Sequence, residues 1–239
     1  MTQLLKFFVI FLLFLQTAFA QDEGRFSISL AAGPSISLRK VATKITGTQR
    51  GELAGDGWAA QAGATYRFLR NFGITARLNY NQNTTRKEGI ELLAINSYNI
   101  ANPNVSNAEN WDALSLLVGP SVHVFIGKLA LEGRLMGGYA SVKGPDFAVS
   151  GKFSGRDISV VTSTKTAQSL AFGIGGTLRL ALSNRFSIAL NSDYTQANAE
   201  FKNVENQLKV AGMSVTPTSP IITQNVGILN VTGGIVLSF

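Results

Sequence analysis

Seven residues carry most of the chemical interest of this 239-residue chain: His123, the arginines Arg67, Arg77, Arg134 and Arg179, and the carboxylates Glu132 and Asp193. A histidine beside a serine or an acid can serve as the general base of an acyl transfer, provided it reaches the proton within hydrogen-bond distance. Guanidinium and carboxylate groups can instead pair and close a space. If arginine is in excess, they can line a path for anions. His123 is the one histidine and cysteine is absent, which excludes a disulfide framework, thiol chemistry and a zinc site of ordinary composition. No catalytic, cofactor-binding or metal-ligating residue is therefore assigned, and no cofactor is expected.

These seven residues share a face, and alternation is what places them there. The last strand sets the pattern. Leu229, Val231, Gly233, Ile235, Leu237 and Phe239 fall on one side, and Asn230, Thr232, Gly234, Val236 and Ser238 on the other. Period-two alternation of this kind marks a half-buried strand. It recurs over 25–38, 57–69, 72–82, 112–126, 129–142, 168–182 and 185–197, which with 226–239 makes eight strands. The apolar series include Ile28 and Leu30, Ile74 and Leu78, Leu131 and Leu135, Phe172, and Ile188 and Leu190. The opposite series carries Arg67, Arg77, Glu132, Arg134, Arg179 and Asp193. A soluble sandwich hides its apolar face and shows charge outside. These charges could not fill a dry core, but they suit the polar interior of a transmembrane β-barrel whose apolar face meets lipid.

The connections support closure. Arg70-Asn71, Gly127-Lys128 and Ser183-Asn184 are tight turns, whereas 39–56, 83–111, 143–167 and 198–225 are long. Short periplasmic turns and long extracellular loops are the bacterial outer-membrane pattern, with both termini periplasmic. Aromatic residues sort into two girdles. Phe26, Phe68, Phe72, Phe186 and Phe239 lie near the short-turn ends, and Trp58, Tyr80, Trp111, Tyr139 and Tyr194 near the long-loop ends. Trp111 has the opposite parity from Leu114, Leu116 and Val118, which predicts a later strand start or a bulge. Gly33-Pro34 and Gly119-Pro120 predict bulges or sharp bends, because proline cannot donate to a ladder.

Composition agrees. Lys6, the apolar run Phe7 to Leu15 and Ala18-Phe19-Ala20 before Gln21 form a signal peptide, so 1–20 is a targeting segment and 21–239 the barrel domain. No later run is long enough for a membrane-spanning helix. Charged residues are 15% of the chain, low for a soluble domain. The net charge is +7, or +6 without Lys6. The basic residues are scattered and form no nucleic-acid motif, so nucleic acid is excluded as a partner and basic loops near anionic lipid account for the charge. The Asn-rich connection 83–111 reads as a solvated connector. The 198–225 connection, with Val215-Thr216-Pro217-Thr218, reads as strands extending above the membrane.

The pattern resembles the PorT-like outer-membrane β-barrel family of eight-stranded bacterial barrels. The resemblance rests on the signal peptide, Leu30-Ala31-Ala32-Gly33-Pro34-Ser35, the pair Gly63-Ala64-Thr65-Tyr66-Arg67-Phe68 to Phe72-Gly73-Ile74, and Phe239. It implies a cell outer membrane protein, surrounded by outer-membrane lipids and inserted by the barrel-assembly machinery. Some members are associated with type IX secretion, and most have no assigned activity. Other small barrels are lipid A acyltransferases or deacylases with chemistry at the outer leaflet, whereas His123 falls near the periplasmic end. The expected function is a non-enzymatic scaffold or adaptor that docks another envelope protein, with a narrow solute channel as the alternative and a lipid-modifying enzyme less favoured. The charged face is expected to close the lumen by ion pairs centred on Glu132 and Asp193.

Overall fold

The computed structural model describes residues 25–38, 53–201, 204–210, 213–215, 218–219 and 222–239. The targeting segment 1–20, most of the 39–56 connection, and Thr216 and Pro217 lie outside the described residues. Eight long strands form the body of the molecule: β1 (Phe26–Ser37), β2 (Ala54–Arg67), β3 (Phe72–Thr85), β5 (Trp111–Ile126), β6 (Leu129–Lys143), β9 (Ala167–Ala181), β10 (Phe186–Phe201) and β14 (Ile222–Ser238). Every neighbouring pair is antiparallel, and β1 pairs with β14, so the sheet closes into a barrel in the order β1-β14-β10-β9-β6-β5-β3-β2. The alternation predicted this set, with boundaries that shift by a few residues.

The register shows how the ring closes. From Ser121 on β5 the partners run to Arg134, Gly175, Asp193, Asn230, Ser35, Gly57, Asn83 and back to Trp111 on β5. One circuit therefore advances ten residues along β5 (121 minus 111). Strand tilt and stagger are linked in this way in any closed barrel. The offset must also be even. Side chains alternate with period two, so an odd offset would send every side chain to the wrong face where the ring closes.

That parity sorts the molecule. Ile28, Leu30, Ile74, Leu78, Leu131, Leu135, Phe172, Ile188, Leu190 and Ile235 form an exposed apolar belt around the outside. Leu237 shares their parity and pairs with Ile28 and Phe186. The expected girdle residues Phe26, Phe68, Phe72, Phe186, Phe239, Trp58 and Tyr139 are exposed on the same face. Tyr80 and Tyr194 are half-buried there, Tyr80 packing edge-on against Trp58 at 5.4 Å. Phe26 and Phe239 meet at 6.2 Å across the closing seam.

Two local expectations are corrected. Trp111 opens β5 without a bulge and points inward, where it packs with Val142, Ala167, Ala199 and Phe201; its parity was that of the interior face. Gly33-Pro34 and Gly119-Pro120 cause no register shift. Pairing with β2 and β3 runs straight through them, and the ladder lapses only toward β14 and β6 before resuming in the same register. The glycines answer to space instead: a Cβ on Gly119 would lie 1.9 Å from the Leu135 carbonyl oxygen.

The long connections build a second layer. The Asn-rich segment is not a plain connector: it folds into α1 (Lys87–Tyr98) and β4 (Ala101–Ser106). A helix this short is marginal alone, and tertiary burial supports it. Ile90 and Ala94, one turn apart, enter a core with Ile100, Val105, Val149 and Ile158. Asn99 ends the helix in the left-handed region (φ 51°). The Ile100 amide reaches back to the Ala94 carbonyl at 3.1 Å, the geometry of a Schellman cap. Strands β7 (Phe147–Phe153) and β8 (Arg156–Ser163) form a hairpin through Ser154 and Gly155, both at positive φ as a tight two-residue turn requires. With β11 (Val204–Val210), β12 (Met213–Val215) and β13 (Thr218–Ser219) they complete a second antiparallel sheet in which β4 pairs with β7. Leu53 packs against both this core and the Trp111 cluster, joining cap to barrel.

Leu190 lies mid-belt, paired with Leu178 and Gly233. Leu190→Arg should lower stability by about 2–4 kcal/mol, the cost of a basic side chain facing the bilayer midplane. Urea unfolding in lipid vesicles measures this.

Candidate functional site: the polar lumen

Inward-facing residues divide the lumen into two kinds of surface. Toward the long-loop end, β5, β6, β9 and β10 present Leu117, Met136, Ala140, Ala171 and Ala197, beneath the Trp111 cluster. The rest of the interior is mainly polar, with Ala59, Ala130, Ala189, Ile228 and Val236 interspersed among the polar side chains. Glu132 and Arg134 sit two residues apart on β6 and so share the inner face. Arg67 comes from β2, Arg77 from β3, Arg179 from β9 and Asp193 from β10. All of these arginines and Asp193 are buried, and Glu132 is half-buried.

Arg134 is the junction. Its Nε donates to Asp193 Oδ1 at 3.0 Å, and its Nη2 also reaches that oxygen. Its Nη1 donates to Glu132 Oε1 at 3.1 Å and to Thr177 Oγ1 at 2.7 Å. One guanidinium thus bridges both carboxylates. The Asp193 pairing converges on a single oxygen and is not a parallel fork. The other oxygen, Oδ2, accepts from Gln61 Nε2 at 3.3 Å, and Gln61 Oε1 accepts from Thr232 Oγ1 at 2.7 Å.

Arg77 crosses the lumen. It donates to Ser29 Oγ at 3.4 Å, Thr177 Oγ1 at 3.4 Å and Asn191 Oδ1 at 3.3 Å. These partners are neutral oxygens. Arg67 lies over the Phe125 ring at 5.0 Å, a cation–π contact. Buried charge is tolerated only when paired or hydrogen-bonded, and this arrangement meets that requirement for both carboxylates.

Space for the junction comes from glycine. Arg134 and Asp193 lie on β6 and β10, with β9 between them, and both pair with Gly175. A Cβ at Gly175 would lie 2.0 Å from Asp193 Oδ1 and 2.9 Å from Arg134 Nε. Gly63 plays the same part for Arg77, since a Cβ there would lie 3.1 Å from the Arg77 stem and 2.5 Å from Ser29 Oγ.

His123 points inward beside this network, near the short-turn end of β5. Its Nε2 is 3.0 Å from Ser121 Oγ, and its Nδ1 is 3.9 Å from Glu132 Oε2. Hydroxyl, imidazole and carboxylate stand in the order of a nucleophile relay. Ser121 and His123 are each 1% exposed, however, and Glu132 is committed to Arg134. The geometry is that of a packed interior rung.

Every barrel strand contributes to these contacts, counting Ser29 on β1, His123 on β5 and Thr232 on β14. The charges stand out in the sequence, whereas the neutral residues that join them, namely Ser29, Gln61, Thr177, Asn191 and Thr232, do not. Their parity was the available signal, since each lies on the same face as the charges. Gly175→Val should separate Arg134 from Asp193 and cost about 3–5 kcal/mol, the range for breaking a buried pair. Gly176→Ala, on the outer face of the same strand, should cost less than about 1 kcal/mol. Unfolding midpoints in vesicles compare the two.

A family model described as the outer membrane protein beta-barrel domain matches residues 7–216. A search of curated proteins finds no match. Among solved structures, the chain is similar to neisserial surface protein A, at 13% identity and TM-score 0.44, over 92% of this chain and 100% of that one. It is also similar to OprG of Pseudomonas aeruginosa, at 12% identity and TM-score 0.49, over 91% and 97%. Ail, the attachment invasion locus protein of Yersinia pestis, gives 16% identity and TM-score 0.40, over 91% and 99%. The family match is to the broad barrel domain and does not reach the narrower PorT-like group. This chain belongs to the outer membrane protein beta-barrel domain family, and its place is the bacterial outer membrane.

Proposed function

We propose that this protein is a non-enzymatic scaffold that holds a folded cap at the cell surface and docks another envelope component there. The observation that carries this reading is the cap itself. Its helix and second sheet have their own apolar core, tied to the barrel through Leu53. Four long connections that merely returned the chain would need no such core. Rigid elements above a rigid barrel fix the geometry of a docking surface before binding, which lowers the ordering cost of association. In this reading residues 1–20 direct export, the termini and short turns face the periplasm, and the cap faces outward. The envelope partner is recognised at the cap; crosslinked outer membranes are the material from which to capture it.

Sidedness is directly testable because the chain has no cysteine of its own. Lys152→Cys, in the cap, should react with a membrane-impermeant maleimide on intact cells, whereas Asn184→Cys, in a short turn, should react only after lysis. The reverse pattern would contradict the orientation.

The lumen supports the scaffold reading over a channel. An eight-stranded barrel is barely wide enough for side chains, and Arg77 together with the Gln61–Asp193 contact crosses it. Purified protein in planar bilayers should show no steady conductance. Glu132→Ala, which leaves four lumen arginines facing Asp193 alone, should lower stability and admit anions in preference to cations. Steady conductance by the unaltered protein would favour the narrow channel instead.

A further inference from the structure

Strands β9 and β10 part before they end. Their ladder runs in register up to Ala171 opposite Ala197 and stops there. Both strands continue. β9 goes on to Ala167 in register with β6, and β10 goes on to Phe201 in register with β14. The barrel wall is therefore split at its long-loop rim between residues 167–170 and 198–201. A groove of about 380 Å³ occupies the split, lined by Gln168, Ser169, Leu170, Phe172, Gln196 and Asn198, with Glu200 also on its wall.

The groove has a polarity. Leu170 and Phe172 are 60% and 68% exposed and belong to the apolar belt. Gln168, Gln196, Asn198 and Glu200 continue the outward series of the same two strands beyond that belt. The Tyr194 hydroxyl donates to Gln196 Oε1 at 3.3 Å, which turns the Gln196 amide NH₂ toward other acceptors. Ser169 Oγ is shielded from solvent and has no hydrogen-bond partner among the described residues. Backbone groups freed where the ladder stops add donors and acceptors, and such groups demand partners where water is scarce.

We propose that this split is a binding site for one membrane amphiphile with an uncharged head rich in hydroxyl or amide groups. Its acyl tail lies against Leu170 and Phe172, and its head hydrogen-bonds to Gln168, Gln196 and Asn198. The Glu200 carboxylate at the rim repels phosphate heads and favours hydroxyl donors. With the cap outward, as proposed above, the ligand belongs to the outer leaflet. The site itself depends only on the barrel lying in lipid.

The test uses the full chain in lipid nanodiscs and an n-alkyl glucoside with a diazirine in its tail. Photolabelling should be saturable and at least about fivefold enriched in residues 168–172 and 196–200 over equally apolar segments such as Ile188–Leu190, as a defined contact requires. Phe172→Ala and Gln196→Leu, both on the outer face, should each reduce it by roughly fivefold. Unlabelled alkyl glucoside should compete about tenfold better than an alkyl phosphate of equal tail length. Heat-modifiable gel migration verifies that each variant remains a barrel, and labelling of the unaltered protein needs no variant. Uniform, unsaturable labelling of the belt would overturn the site, and equal competition by the phosphate would overturn its ligand class. Neither result bears on the surface-scaffold reading, because the experiment requires no partner and no sidedness.

Discussion

A chain that crosses a bilayer as strands must pair every backbone amide and carbonyl within the protein. The rest of this structure follows from meeting that requirement with a closed ring. Closure joins β1 to β14 and fixes a ten-residue offset per circuit. Because the offset is even, each residue's face is decided by parity alone. The apolar belt, the aromatic girdles and the charged interior are consequences of that rule. Trp111 shows its strength. A large aromatic at a strand end would suit the girdle by composition, yet parity sends it inward to seal the barrel beneath the cap.

Once closed, the ring leaves an interior too narrow for bulk water and too charged for a dry core. The chain resolves this conflict with one bridging arginine and two glycines. Arg134 satisfies two carboxylates, while Gly175 and Gly63 remove the atoms that would block the guanidinium groups. Neutral side chains from the opposite wall complete the hydrogen bonding. Among the described residues, four lumen arginines stand against two lumen carboxylates, an excess of two positive charges (4 minus 2).

Much of this was legible in the sequence because period-two alternation is strong when one face meets lipid and the other does not. Strand number, tight turns and the facing of Arg67, Arg77, Glu132, Arg134, Arg179 and Asp193 follow from counting. The partners within the lumen do not. Which arginine meets which acid depends on the offset between strands, and that is a property of the whole ring. Helix α1 was illegible for another reason. Ile90, Leu92, Leu93, Ala94 and Ile95 spread around the helix without a clean apolar stripe, and the asparagines after it read as solvated chain. Its stability comes from Val105 in the same connection and from Val149 and Ile158, which are distant in sequence. The proline-bearing strands misled in the opposite direction. Proline removes a donor from one side of a strand, but register is held from the other.

The central claim is that a buried junction at Arg134 ties β6 to β10 across the intervening β9. A double-mutant cycle of Arg134→Met and Asp193→Leu, read by reversible unfolding in lipid vesicles, tests it most directly. The two residues should couple by about 2 kcal/mol or more, near the upper part of the range for side chains in direct contact. Coupling below about 0.5 kcal/mol, the level of independent sites, would contradict the account and leave Asp193 an incidental charge in the lumen.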